Sequence, residues 1–173
     1  MRYVEFFRHT DNDGDRLTPA GVAHAEEIGR TRLSPPYAAF VSTGAARATR
    51  MLEILRDAAG QPMTPITLVT GLRSTVEDRW RAAVKAAGKD ADLEAVRRVD
   101  PDLVEKESAL LGHSLREVVD GLPDGGRALA VGHSPTNEAA VLGVAGVVIH
   151  PLGKGDGVLV AEDAGRWRVE PLR

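Results

Sequence analysis

Four residues with the chemistry of an anion site stand directly behind apolar runs in this chain. Arg8 and His9 follow Tyr3–Phe7. Arg47 comes one turn after the Ser42-Thr43 pair that ends a second run. His133 and Ser134 follow "RALAVG". Arginine forks bind phosphate oxygens bidentately and keep their charge at any working pH. A neutral imidazole nitrogen can attack phosphorus, which replaces one hard displacement by two easier ones through a covalent phosphohistidine. A second, protonated histidine can stabilise charge on the equatorial oxygens of the transition state. One such residue alone reads as a surface or structural group. Two histidines and two arginines behind three separate runs point to phosphoryl transfer.

That convergence depends on the elements that deliver the residues. Tyr3–Phe7 reads as a strand. A helix follows over "RLTPAGVAHAEEIGRTRL", with Thr18 as its cap, Pro19 in its first turn and Val22, Ala25, Ile28 and Leu33 as its apolar stripe. "PPYAAFVST" is a second strand. "AARATRMLEILRDAAG" is a helix carrying Ala48, Leu52, Leu55 and Ala59 on one face. "PITLVTGL" is a third strand. "VEDRWRAAVKAAG" and "DADLEAVRRV" are one broken helix or two short ones. A further helix, "HSLREVVDGLPDGG", starts at Ser114. "RALAVGH" is a fourth strand, "SPTNEAAVLGVAG" a helix, and the chain closes on a hairpin about Asp163-Ala164-Gly165. Strands alternating with helices imply an α/β fold: a single three-layer domain with a mostly parallel central sheet and helices on both faces. Ligands bind such sheets beyond the carboxyl ends of the strands, where the four residues fall. The charged stretch 73–112 is either a small helical cap within this domain or an ordinary solvated face.

Composition narrows the classes. The chain of 173 residues is long enough for one core, and its 43% apolar and 27% charged residues are ordinary for a globular protein. A net charge of −3 gives no reason to expect nucleic acid or an anionic membrane as partner. The absence of cysteine removes disulfides, thiolate metal sites and a thiol nucleophile. No apolar run approaches the roughly 20 residues of a membrane span, and a strand at residue 3 leaves no room for a signal peptide. A cytoplasmic protein is expected.

The order of the segments also resembles a known family. "FFRHTDNDGDRLTPAGVAHAEEIG", "VSTGAARATRMLE" and "AVGHSPTNEAAVL" look like the three motifs of the histidine phosphatase superfamily, the phosphoglycerate mutase-like proteins, and "HPLGKGDGVLV" is similar to its last strand. The resemblance covers nearly the whole chain and is nearest to the small bacterial phosphohistidine phosphatases. It implies His9 as the phosphorylated nucleophile, with Arg8, Arg47 and His133 completing a phosphate pocket to which Thr10 and Ser134 add contacts. It implies no metal and no cofactor, and a phosphorylated small molecule or a phosphohistidine protein as partner. Thr10 replaces the usual glycine, Gly44 a proline, and Arg50 and Met51 the usual glutamine and threonine. Where many members carry an acidic proton donor this chain has Ser74, and Ser134 stands where another branch has aspartate. Glu77 and Asp78 are the remaining candidates for the acid. Without one, the site should favour easily departing groups, such as phosphohistidine or aryl phosphates. The alternatives are a phosphate-binding module of the same fold that has lost catalysis, and a small-molecule phosphomutase.

Other motifs carry less. "DNDGDRL" spaces Asp11, Asp13 and Asp15 like the start of a calcium loop, but Arg16 and Val22 occupy its required glycine and glutamate, which leaves a polar turn near the pocket mouth. "GHSPT" lacks the second glycine of a nucleophile elbow. His24, His113 and His150 have no charged company in sequence and are assigned to structure or solvent; Arg50, one helical turn beyond Arg47, either reaches the same anion or is simply solvated.

Overall fold

Strand β1 (Arg2–Arg8) sets the frame of the computed structural model, which describes residues 1–172. Its alternate side chains divide between two cores. Val4 and Phe6 enter one, and Phe7 enters the other. Strand β6 (Arg127–Gly132) pairs parallel to it and repeats the division, with Ala128 and Ala130 on the first face and Leu129 and Val131 on the second. The full sheet runs β5-β4-β6-β1-β7-β8. Strands β4 (Ala39–Ser42) and β5 (Ile66–Leu68) extend the parallel part. The closing hairpin of β7 (Gly157–Asp163) and β8 (Arg166–Leu172) adds two antiparallel strands. Strands β2 (Asn12–Asp13) and β3 (Arg16–Leu17) form a separate small hairpin.

Helices α1 (Pro19–Thr31) and α2 (Ala46–Ala58) cover the second face with Ala25, Ile28, Ala48, Leu52 and Leu55. Thr18 caps α1, its Oγ1 accepting from Gly21 N at 3.0 Å. Helices α3 (Glu77–Ala87), α4 (Leu93–Val99), α5 (Pro101–Asp120) and α6 (Thr136–Ala145) cover the first face. The three-layer α/β architecture is therefore as the pattern implied. Within stretch 73–112, Trp80, Ala83, Leu93, Val96, Leu103 and Val104 are buried in the same core as Phe6. No helix among the described residues is long and apolar enough to cross a membrane.

Two elements differ from the sequence reading. The third strand stops at Leu68 and turns into a 3-10 turn, Thr70–Leu72. The helix expected to start at Ser114 starts at Pro101, where Asp100 accepts from Leu103 N at 3.2 Å as its cap. Gly112 and Ser114 looked like a boundary because Gly and Ser weaken helices. Here Gly112 has another cause. A Cβ on it would lie 2.7 Å from Gly143 Cα of α6, and a Cβ on Gly143 would strike the Ser108 carbonyl of α5. The two helices cross at backbone contact, which fixes α6 against α5. Gly143→Ala should therefore destabilise the fold by about 1–3 kcal/mol despite its better helix propensity. Thermal unfolding measures this, and a melting temperature equal to or above that of the native protein would contradict the close crossing.

Candidate active site

The parallel register aligns three strand ends. Arg8 of β1 pairs with Gly132 of β6, and Ser42 of β4 with Val131. Helices α1 and α2 leave toward one face and α6 toward the other, so a crevice opens beyond these ends. Asn137, at 0% exposure, joins two of them: its Oδ1 accepts from His133 N at 3.0 Å and its Nδ2 donates to Phe7 O at 3.1 Å. A side chain on Gly132 would collide with that amide.

Arg47 lies at the centre. Its Nε donates to His9 Nε2 at 3.3 Å, one terminal nitrogen donates to His133 Nδ1 at 3.3 Å, and the other to Asp15 Oδ1 at 2.8 Å. A guanidinium only donates, so both imidazole nitrogens it meets are acceptors. The tautomers follow. His9 carries its proton on Nδ1 and donates to Thr10 O at 2.8 Å. His133 carries its proton on Nε2 and donates to Thr43 Oγ1 at 2.8 Å. The rings stand edge to face with centroids 5.3 Å apart. Burial pushes the His9 pKa down, and the charges of Arg47, Arg8 and Lys154 push the same way, against the Thr10 hydrogen bond. His133 is lowered to about 3 by burial first and then by Arg47. Both effects favour the neutral ring of the second histidine in the ligand-free site. Bringing a phosphate dianion beside it supplies the charge that would favour its protonation.

The remaining candidates are placed differently. Arg8 donates through one terminal nitrogen to Leu152 O at 2.7 Å, and its Nε is buried without a partner. Thr10 is fully buried and its hydroxyl donates to Gly21 O at 2.7 Å, so that hydroxyl is turned toward α1 and away from an anion. Ser134 donates to Glu138 Oε1 at 2.7 Å. Glu77 accepts from Arg73 Nε at 2.9 Å and lines a cavity of about 250 Å³ together with Arg47, His133 and Trp80. Asp78 does not face it: its side chain is 97% exposed and pairs with Arg81. Ser74 is buried against Glu107, which also accepts from Trp80 Nε1 at 3.0 Å. Arg50 is exposed, and His113 pairs with Glu117 at the surface.

Three positions that hold the site's side chains and strand ends were not singled out in the sequence. Asp15, taken as part of a polar turn, accepts from the backbone N–H groups of Ala46 and Arg47 at 3.1 and 3.2 Å. It caps α2 and aims the Arg47 side chain from both ends. Asn137 and Glu138 were read as ordinary helix residues. The signal available was a run of polar residues directly after a catalytic candidate on a helix that is otherwise apolar. Among the described residues, no group of three or more histidines or carboxylates is placed to hold a metal ion.

No family model and no curated protein matches the sequence. Solved structures do match the fold. Phosphoglycerate mutase from Bacillus anthracis str. Sterne superposes with a TM-score of 0.74 at 17% identity, covering 98% of this chain and 92% of the mutase chain. Phosphoserine phosphatase from Entamoeba histolytica, in complex with 3-phosphoglyceric acid, gives 0.71 at 13% identity over 100% and 98%. The phosphohistidine phosphatase SixA from Agrobacterium tumefaciens gives 0.58 at 18% over 99% and 97%. At these identities the shared property is the fold, which is the phosphoglycerate mutase-like fold.

The depressed His133 pKa has a consequence for stability. In the unfolded chain this imidazole takes up a proton as pH falls through about 6.5, while the folded one stays neutral until about 3. Its contribution is thus complete above pH 6.5 and is lost toward acid, at about 1.4 kcal/mol per pH unit. Denaturant unfolding between pH 4 and 7 should show a shallower acid loss for His133→Asn than for the native protein. Equal slopes would mean that His133 titrates normally in the fold.

Proposed function

We propose that the protein is a metal-independent histidine phosphatase that hydrolyses a phosphate monoester or a phosphohistidine through a covalent phosphohistidine on His9. The observation that carries this reading is the His9 tautomer: Nδ1–H is held by Thr10 O, so the Nε2 lone pair faces the space bounded by Arg47 and His133. In the first step Nε2 attacks phosphorus and the bond to the leaving atom breaks. Arg47 shifts from the imidazoles to the phosphoryl oxygens, Arg8 adds a second fork, and His133 takes up a proton from solvent as negative charge gathers beside it and returns it to solvent when inorganic phosphate leaves. In the second step water attacks the phosphorus, the P–Nε2 bond breaks, and inorganic phosphate leaves with His9 restored. The positive charge of the arginines supplies what a divalent ion supplies in other phosphatases. We further propose that the chain works as one domain in which α3 forms a wall of the pocket.

Glu77 is the carboxylate best placed to protonate the leaving atom and to take the proton of the attacking water, and Asp78 is not part of the step. A general acid is worth about 10²–10⁴-fold, most of it for poor leaving groups. For the native enzyme, kcat/KM should depend weakly on leaving-group pKa; Glu77→Gln should steepen that dependence and Asp78→Asn should leave it alone. A steep native slope unchanged in both variants would restore the acid-poor site, with its preference for phosphohistidine and aryl phosphates.

Turnover of an aryl phosphate separates the enzyme from a phosphate-binding module that has lost catalysis. His9→Ala should abolish it, and Arg47→Ala should lower kcat by about 10²–10³-fold. Vanadate should inhibit, and chelator should have no effect. Undiminished turnover by a folded His9→Ala protein would overturn the assignment. A mutase reading draws on the likeness to the Bacillus anthracis mutase, whose chain is covered over 92% of its length. It predicts phosphoryl return to an acceptor hydroxyl in place of release to water, which phosphorus NMR of the products distinguishes.

A further inference from the structure

A second cavity adjoins the one at Arg47 and His133. Val84, Ser134 and Pro135 line both; the second is larger, about 470 Å³, and is reached from the Arg8 side. Glu138 is 2% exposed and lines it. One of its oxygens is fully used: Oε1 accepts from Ser134 Oγ at 2.7 Å and from Leu152 N at 2.8 Å. The other, Oε2, is buried with no hydrogen-bond partner, and so is Nε of Arg8 on the same cavity. Folded proteins seldom bury polar atoms in this condition unless something else satisfies them. Burial also raises the Glu138 pKa, against the pull of Arg8. The charges around the pair are one-sided. Asp90, Asp92 and Asp156 line the cavity; Asp92 accepts from Ala95 N and Asp156 from Gly153 N, and their charges are left without an ion pair among the described residues; His150 is the other titratable group there. Arg8 is the one lasting cation, and it is already drawn to Leu152 O.

We propose that this cavity receives the non-phosphate end of the substrate and selects a hydroxyl or an ammonium there over a carboxylate or a second phosphate. Glu138 Oε2, buried in the free protein, turns to the cavity wall and accepts from the incoming donor. An anionic group would instead sit beside three carboxylates, and like charges across an interface reject a ligand. This rests on the phosphoryl-transfer reading of the adjoining site.

Binding to His9→Ala protein separates recognition from turnover. Calorimetry at pH 7.5 would compare inorganic phosphate, 2-aminoethyl phosphate, 2-hydroxyethyl phosphate and phosphoglycolate. The amine and alcohol esters should bind more tightly than inorganic phosphate, and phosphoglycolate about tenfold or more weakly than either. In the double variant with Glu138→Gln, the amide oxygen can keep the Ser134 and Leu152 contacts while the free acceptor is lost. The advantage of the amine and alcohol over inorganic phosphate should then disappear while inorganic phosphate binding persists. Phosphoglycolate binding as tightly as the other esters, or an advantage untouched by Glu138→Gln, would overturn the subsite and leave the phosphatase reading standing. Failure of inorganic phosphate to bind the native protein would overturn both.

Discussion

The guanidinium of Arg47 is the interaction around which the site is built. Each of its three nitrogens is engaged, with His9, His133 and Asp15. A cation that can only donate forces both imidazoles to present lone pairs, and its charge adds to burial in keeping both rings neutral. In the proposed mechanism the same group thereby prepares a nucleophile and stores the positive charge that an arriving phosphate needs. Asp15 stabilises the arrangement by holding the side chain and the first turn of α2 together. Without an opposing carboxylate, a half-buried arginine between two imidazoles would have other rotamers to choose from.

The fold serves this interaction by aligning strand ends. Arg8 and His9 come from β1, Ser42 and Thr43 from β4, and Gly132 and His133 from β6, in parallel register. Helices leaving to opposite faces open the crevice, and Asn137 fastens the ends of β1 and β6 across it. The contact of Gly112 with Gly143 holds α6, which carries Asn137 and Glu138, against α5. Alanine on the β6 face toward these helices fits the same closeness, whereas larger Leu129 and Val131 face α1 and α2.

The parts of this that sequence made legible are those with a local cause. Apolar runs marked β1, β4 and β6 because strands buried on both faces carry few polar positions; one of these, Glu5 in β1, is buried with Tyr37 and Arg127 as partners. Thr18-Pro19 marked the start of α1 because cap and first-turn preferences are chemical properties of those two residues. His9, Arg47 and His133 were legible because each follows such a run. Asp100-Pro101 carried the same kind of cap signal for α5 and was masked by Gly112, whose role exists only against a helix 31 residues later. Asp15 and Glu138 were not legible for a related reason. Their function lies in partners distant along the chain, Arg47 for one and Leu152 for the other. The choice between Glu77 and Asp78 needed the helical phase of α3, because adjacent residues on a helix point about 100° apart.

The most direct test of this account is the identity of the nitrogen that carries phosphate. Brief reaction of the native protein with a good phosphoryl donor, followed by alkaline quenching, should trap an acid-labile, alkali-stable phosphohistidine. Peptide mapping should place it on His9, and phosphorus NMR should assign it to Nε2, the atom left free when Nδ1 donates to Thr10 O. Phosphate on His9 Nδ1, on another residue, or on none during active turnover would contradict the arrangement of Arg47 and the two imidazoles from which the mechanism is drawn.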